Sequence, residues 1–170
     1  MGPASAAPEL RLTAKALGEV FERHPSDVVP TAYAASLQRL GFLPLEGFLR
    51  GVIDLVFEQD GRYYVVDYKS NHLGASPADY AAGALTEAMA HHHYFLQYHL
   101  YVVAVHRYLE ARLPGYDYDA HFGGVFYLFV RGMAKARGDN AGVFADRPAR
   151  ALVLALAGLF AGAVDEEAWR

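Results

Sequence analysis

Two short apolar runs around Asp60-Gly61 give the clearest pattern in the chain. Positions 52–57 and 62–69 are rich in β-branched and aromatic residues, and Asp-Gly between such runs is a strong two-residue hairpin signal. With Asp60 and Gly61 as the loop, Gln59 faces Arg62, and the same register places Asp54 directly opposite Asp67. Helical spacing is expected over residues 15–24 and 31–40, and again from Pro77 to about Ala90. A long helix should follow His91-His92-His93 and run to Leu113, where Pro114-Gly115 stops it. Residues 122–130 form a continuous apolar run, expected as a central strand, and residues 148–162 form the last helix. Residues 9–12 read as a short strand, 45–51 as the lead into the hairpin and 136–140 as a polar loop. Helix, hairpin, helix, strand and helix in that order describe an α/β sheet flanked by helices.

Composition narrows the class. The 170 residues are 54% hydrophobic and 20% charged, which suits one globular domain with a proper core. The chain has no cysteine, so it has no disulfide framework or thiolate site, and a reducing cytoplasm fits. Residues 1–8 read as a flexible leader, since no basic segment there precedes an apolar core. The apolar stretch 151–164 is too short to span a bilayer. No G-x-x-x-x-G-K-[ST] loop is present, so no ATPase is visible.

The hairpin carries the candidate chemistry. Directly opposed residues have Cβ atoms roughly 4.5–5.5 Å apart, so Asp54 and Asp67 would repel unless a cation holds them. A hard divalent ion such as Mg²⁺ takes carboxylate oxygens. Lys69 shares the face of Asp67 by the two-residue period, where it can steady a developing negative charge or position a water. The alternative is Asp54 in water and an ordinary Asp67–Lys69 ion pair on a solvated sheet.

An acidic residue, then D-x-K across a hairpin, is the core of the PD-(D/E)XK nuclease superfamily. "GVIDLVF", "GRYYVVDYKSN", "LQYHLYVVAVHRYL" and "HFGGVFYLFVRGM" together resemble the C-terminal nuclease domain of RecB-type exodeoxyribonuclease V subunits, from about Glu9 to the end of the chain. The resemblance implies a restriction-endonuclease-like central mixed sheet flanked by helices. It also implies Mg²⁺ (with Mn²⁺ or Ca²⁺ able to bind the same site) held by Asp54, Asp67 and the carbonyl of Tyr68, with Lys69 acting on the water or the phosphorane. Gln97 and Tyr101, on one face of the long helix, match a Gln-x-x-x-Tyr that supports such sites. Tyr98, Leu100 and Tyr108 are expected to pack.

The expected role is DNA cleavage in double-strand-break repair and recombination, mainly on single strands delivered by a helicase. Expected partners are the other exodeoxyribonuclease V subunits and RecA. The family carries a further metal ligand on a helix before the first strand. No residue of this chain is carried onto that role: His24 follows the strand, and Glu22 and Glu46 are weak substitutes, so the site is expected to be incomplete here. The histidine triplet points three ways around a helix and reads as a junction, His92 being the one to watch.

Net charge is −4, with 19 acidic against 15 basic residues, whereas a chain that holds DNA by itself has a basic face. Arg131, Lys135, Arg137, Arg147 and Arg150 are the basic residues that gather, in what reads equally as a solvated loop. A domain fed by a motor fits that balance. The competing function is a non-catalytic interaction module of the same complex, for which tyrosines in "LPGYDYDAHFGG" offer a surface or else pack under a loop.

Overall fold

The computed structural model describes residues 13–41, 51–133 and 140–161. The elements in chain order are α1 (Ala14–Arg23), α2 (Ala32–Gln38), β1 (Leu55–Gln59), β2 (Arg62–Lys69), a 3₁₀ turn (Pro77–Tyr80), α3 (Ala82–His91), α4 (Tyr94–Arg112), α5 (Tyr118–His121), β3 (Phe122–Phe129), β4 (Val143–Asp146) and α6 (Arg150–Ala161). The sheet runs β1-β2-β3-β4, with the outer pairs antiparallel and β2 parallel to β3. It is the mixed α/β sheet expected, with β3 in its interior.

The hairpin forms through the chemistry of its turn. Asp60 and Gly61 have φ of 53° and 76°, the two positive values that a type I′ loop requires. Pairing then follows the expected register, from Gln59↔Arg62 to Leu55↔Val66. The strand β1 is shorter than expected, because the ladder stops at Leu55 and Asp54 sits at a bend one place beyond. Its carboxylate turns onto the backbone instead of facing Asp67 across a ladder pair.

The helix α4 is the spine of the core. Phe95, Tyr98, His99, Tyr101, Val102, Val103, Val105, His106 and Leu109 are all buried on it. So wide a buried surface means that it is covered on more than one side, and it packs on α3, α6 and β3. His93 adopts a left-handed conformation, φ 54°, which separates α3 from α4. The histidine triplet is therefore a helix junction, as its spacing suggested.

Several expectations are corrected. The segment from Pro77 is broken at Ala81 into a 3₁₀ turn and α3, because the Ser76–Asp79 capping box and Pro77 close a tight turn first. The strand β4 and helix α5 were not anticipated; β4 has only four residues and α5 one turn. Tyr108 does not pack, being 58% exposed on the outer side of α4. Tyr118 is buried and donates to the carbonyl of Pro148 at 2.8 Å, and Tyr116 is half-buried against His106, so both tyrosines of that stretch pack. The expected segments at 9–12 and 45–50, the leader, and all but the last residue of the 136–140 loop lie outside the described residues.

Two buried polar groups on α4 carry the stability predictions. The His99 ring is fully buried, stacked on Tyr98 and edge-on to Phe21. Its Nδ1 lies 2.7 Å from the carbonyl of Phe95, and its Nε2 has no partner. Burial pushes its pKa down to about 4 from 6.5. The unfolded chain thus takes up a proton that the folded one refuses, so stability is complete above pH 6.5 and falls as pH drops toward 4. At about 1.4 kcal/mol per pKa unit, the loss is on the order of 3 kcal/mol. Replacing His99 with leucine should remove that part of the slope in denaturant titrations from pH 7 to 4; equal pH dependence in both proteins would contradict it. Next along the helix, the Tyr98 hydroxyl donates to Asp146 at 2.6 Å and ties α4 to β4. Tyr98→Phe leaves that half-buried carboxylate without this donor and should cost about 2 kcal/mol in the same titration.

Candidate active site

Period two along β2 puts Asp67 and Lys69 on one face, and the sheet carries that face under α4. Both are buried, at 4% and 8% exposure, so the solvated ion-pair reading does not hold. Lys69 Nζ lies 2.5 Å from Asp67 Oδ2 and donates to Gln97 Oε1 at 2.9 Å. The same Gln97 oxygen accepts from the Tyr127 hydroxyl at 3.0 Å, and Gln97 Nε2 donates to the Tyr101 hydroxyl at 3.0 Å. Gln97 and Tyr101, four apart on α4, therefore meet as expected, and the network closes over β2 and β3. Tyr127 was missed; its place on a continuous apolar strand gave no sign of a polar task.

The rings of Tyr94 and Tyr127 lie 4.0 Å and 5.0 Å from the Lys69 ammonium. A buried cation is thus held by a carboxylate, an amide oxygen and two aromatic faces. Burial and the negative charge of Asp67 raise the Tyr101 and Tyr127 hydroxyls above the ordinary phenol range, so both stay protonated. Gly51 lies against Tyr101, where a Cβ would come within 3.2 Å of the ring. That close approach brings the backbone leading to Asp54 onto the same face of α4.

Asp54 joins from the end of the hairpin. Its Oδ2 accepts from the backbone N–H of Tyr68 at 2.9 Å. In a strand a residue's N–H and C=O point to the same side, so the Tyr68 carbonyl also lies on the β1 side, with Asp54. Burial above all, and then the charge of Asp54, hold the Asp67 carboxyl above the usual carboxylate range, against the pull of Lys69. Two carboxylates and a carbonyl at one strand end are hard oxygen donors, and a divalent cation would offset both the burial of Asp67 and its repulsion from Asp54. The donor set fits Mg²⁺, Mn²⁺ or Ca²⁺.

Other candidates lie elsewhere. Among the described residues no three His, Cys, Asp or Glu side chains form a metal-binding group, so neither Glu22 nor His24 joins the two aspartates. Glu22 is exposed on α1 and accepts from Gln38 at 2.9 Å. Glu46, Lys135 and Arg137 lie outside the described residues. Arg147 donates to the carbonyls of Asp119 and Phe122, and Arg150 pairs with Asp117 and Asp119, so both serve the α5 turn. Arg131 donates to the carbonyl of Ser70 at 2.8 Å, next to Lys69. Among the described residues no helix is long and apolar enough to cross a membrane.

The chain is 47% identical over 135 residues to the RecBCD enzyme subunit RecB of Escherichia coli (strain K12), which covers 79% of the chain and 11% of that protein. It is 52% identical over 124 residues to the RecB subunit of Haemophilus influenzae, covering 72% of the chain and 10% of that protein. For Mycobacterium tuberculosis the figures are 49% over 152 residues, 84% and 14%. The chain thus spans between a tenth and a seventh of the length of these relatives. The PD-(D/E)XK nuclease superfamily pattern matches residues 4–167. Nearly the whole length is matched, and the D-x-K residues of β2 face α4 beside Asp54; the chain belongs to the PD-(D/E)XK nuclease superfamily.

Proposed function

We propose that this chain is the DNA-cleaving domain of a RecB-type subunit and hydrolyses phosphodiester bonds with Mg²⁺ held by Asp54, Asp67 and the Tyr68 carbonyl. The observation that carries the reading is the burial of Asp67 and Lys69 together under Gln97, with Asp54 at the adjoining strand end. Bound there, the ion would polarise the scissile phosphate and lower the pKa of a water. Lys69 presents its ammonium to the attacking water or to the negative charge that builds on phosphorus. Gln97 orients Lys69 through its amide oxygen, and Tyr101 and Tyr127 hold Gln97. Such a site cuts DNA, as exonuclease or endonuclease, leaving 5′-phosphate ends.

The acidic balance of 19 against 15 supports a role in which DNA arrives from elsewhere, because phosphate neutralisation supplies most non-specific affinity. The relatives are named as subunits of the RecBCD enzyme, and this domain would act within such an assembly in the cytoplasm. There it would take single strands from a helicase during double-strand-break repair and recombination, with the other exodeoxyribonuclease V subunits and RecA as partners. The domain extends over residues 9–170. The interaction-module reading loses support from the packing of Tyr116 and Tyr118.

Two measurements test the site. Calorimetry with Mg²⁺, Mn²⁺ or Ca²⁺ should give binding that Asp54→Asn and Asp67→Asn both abolish, with a wild-type affinity of roughly 10⁻⁴–10⁻³ M, the range of oxygen sites with few charged ligands. Lys69→Ala should keep or tighten that binding, since it removes the cation that competes for Asp67. Heat signals unchanged in both aspartate variants would end the metal assignment.

In cleavage of single-stranded DNA with Mg²⁺ at low salt, Lys69→Ala should lower turnover on the order of 10²–10³-fold. Wild-type turnover by that variant would rule out the role given to Lys69.

A further inference from the structure

Lys69 is fixed by more than the D-x-K pattern and Gln97 supply. Its ammonium has three N–H donors, and Asp67 and Gln97 account for two polar contacts. At 8% exposure little water is left to solvate the rest. The Tyr94 ring at 4.0 Å takes that place. The Asp67 contact is shared with any cation that the two aspartates hold; the ring contact is not.

The position of the Tyr94 ring is itself determined. Tyr94 is the first residue of α4, immediately after left-handed His93, so the helix break sets the direction in which it leaves the backbone. Its hydroxyl donates to Asn71 Oδ1 at 3.2 Å. Asn71 lies two residues beyond Lys69, and its Nδ2 is 3.3 Å from His92 Nε2. With Oδ1 accepting from tyrosine, the amide nitrogen is the donor to the histidine. The His92 ring stacks on the Tyr94 ring at 5.2 Å and 24°. The loop after β2 and the junction before α4 thus close a ring of contacts around Tyr94, and Tyr127 and Phe129 pack beside it.

We propose that Tyr94 is a positioning residue for Lys69, its ring the platform on which the ammonium rests, and that Asn71 and His92 hold that ring in place. The inference rests on the catalytic role proposed above for Lys69, but the contact can be read without it. In carbon-13 NMR spectra of lysine-labelled protein, an ammonium seated on a ring face places its ε-CH₂ protons upfield. The chain has three lysines, and the Lys69 signal is the one that Lys69→Ala removes. It should lie upfield in the wild type, keep most of that displacement in Tyr94→Phe, which loses only the bond to Asn71, and return toward the ordinary lysine position in Tyr94→Leu and Tyr94→Met. Asn71→Ala, which loses the bonds to both Tyr94 and His92, should reduce the displacement further than Tyr94→Phe does.

In Mg²⁺-dependent cleavage, Tyr94→Leu should lower kcat about tenfold with little change in KM, and Tyr94→Phe should recover most of it. An ordinary Lys69 signal in the wild type overturns the proposal whatever the Tyr94 variants do. So do equal losses in the phenylalanine and leucine variants, since the hydroxyl and not the ring would then matter. If Lys69→Ala cleaves normally while the upfield signal behaves as expected, the catalytic reading fails and the ring contact stands.

Discussion

An ammonium and a carboxylate lie side by side under a helix on β2, where each has lost most of its water. Removing two charges from water costs several kcal/mol each, and their attraction offsets that only when further hydrogen bonds and close geometry assist. The surrounding structure supplies that assistance. Gln97 gives an amide oxygen, Tyr94 and Tyr127 give ring faces, and Tyr101 and Tyr127 fix the amide. None of these residues could be placed freely, because each answers to the same buried cation.

The fold brings them together with few devices. A type I′ turn sets the register that puts Asp54 at the strand end beside Tyr68. Parallel pairing of β2 with β3 sets Asp67 against Tyr127 in the register and carries the Tyr127 hydroxyl to Gln97. The break at His93 separates α3 from α4 and starts α4 at Tyr94, so that positions 94, 97 and 101 all reach the active face. Buried tyrosines do double work here: their rings fill the core and their hydroxyls serve polar groups that would otherwise lack partners.

The hairpin, its register and the face shared by Asp67 and Lys69 were legible in the sequence, because turn chemistry and two-residue alternation are local properties. Gln97 and Tyr101 were legible through helical spacing together with family resemblance. Tyr127 and Tyr94 were not, since their tasks depend on how β3 and α4 meet, which no local period encodes. Tyr108 misled because an aromatic on a long, mostly buried helix reads as core, whereas here it falls on the one side of α4 that faces water. Asp54, expected inside the strand 52–57, stands one residue outside the observed β1: the hydrogen bond from Tyr68 replaces the next ladder pair. The strand β4 escaped notice because four residues between turns carry too little pattern.

The proposed chemistry depends on Asp54, Asp67 and the Tyr68 carbonyl forming a single cation site beside Lys69. Anomalous diffraction from crystals of the protein soaked in Mn²⁺ tests it most directly. The expected result is one strong peak within about 2–2.5 Å of an oxygen from each aspartate and of the Tyr68 carbonyl, with Lys69 still seated on Gln97. Density that shows manganese bound elsewhere, with the two aspartates unliganded at saturating metal, would contradict it.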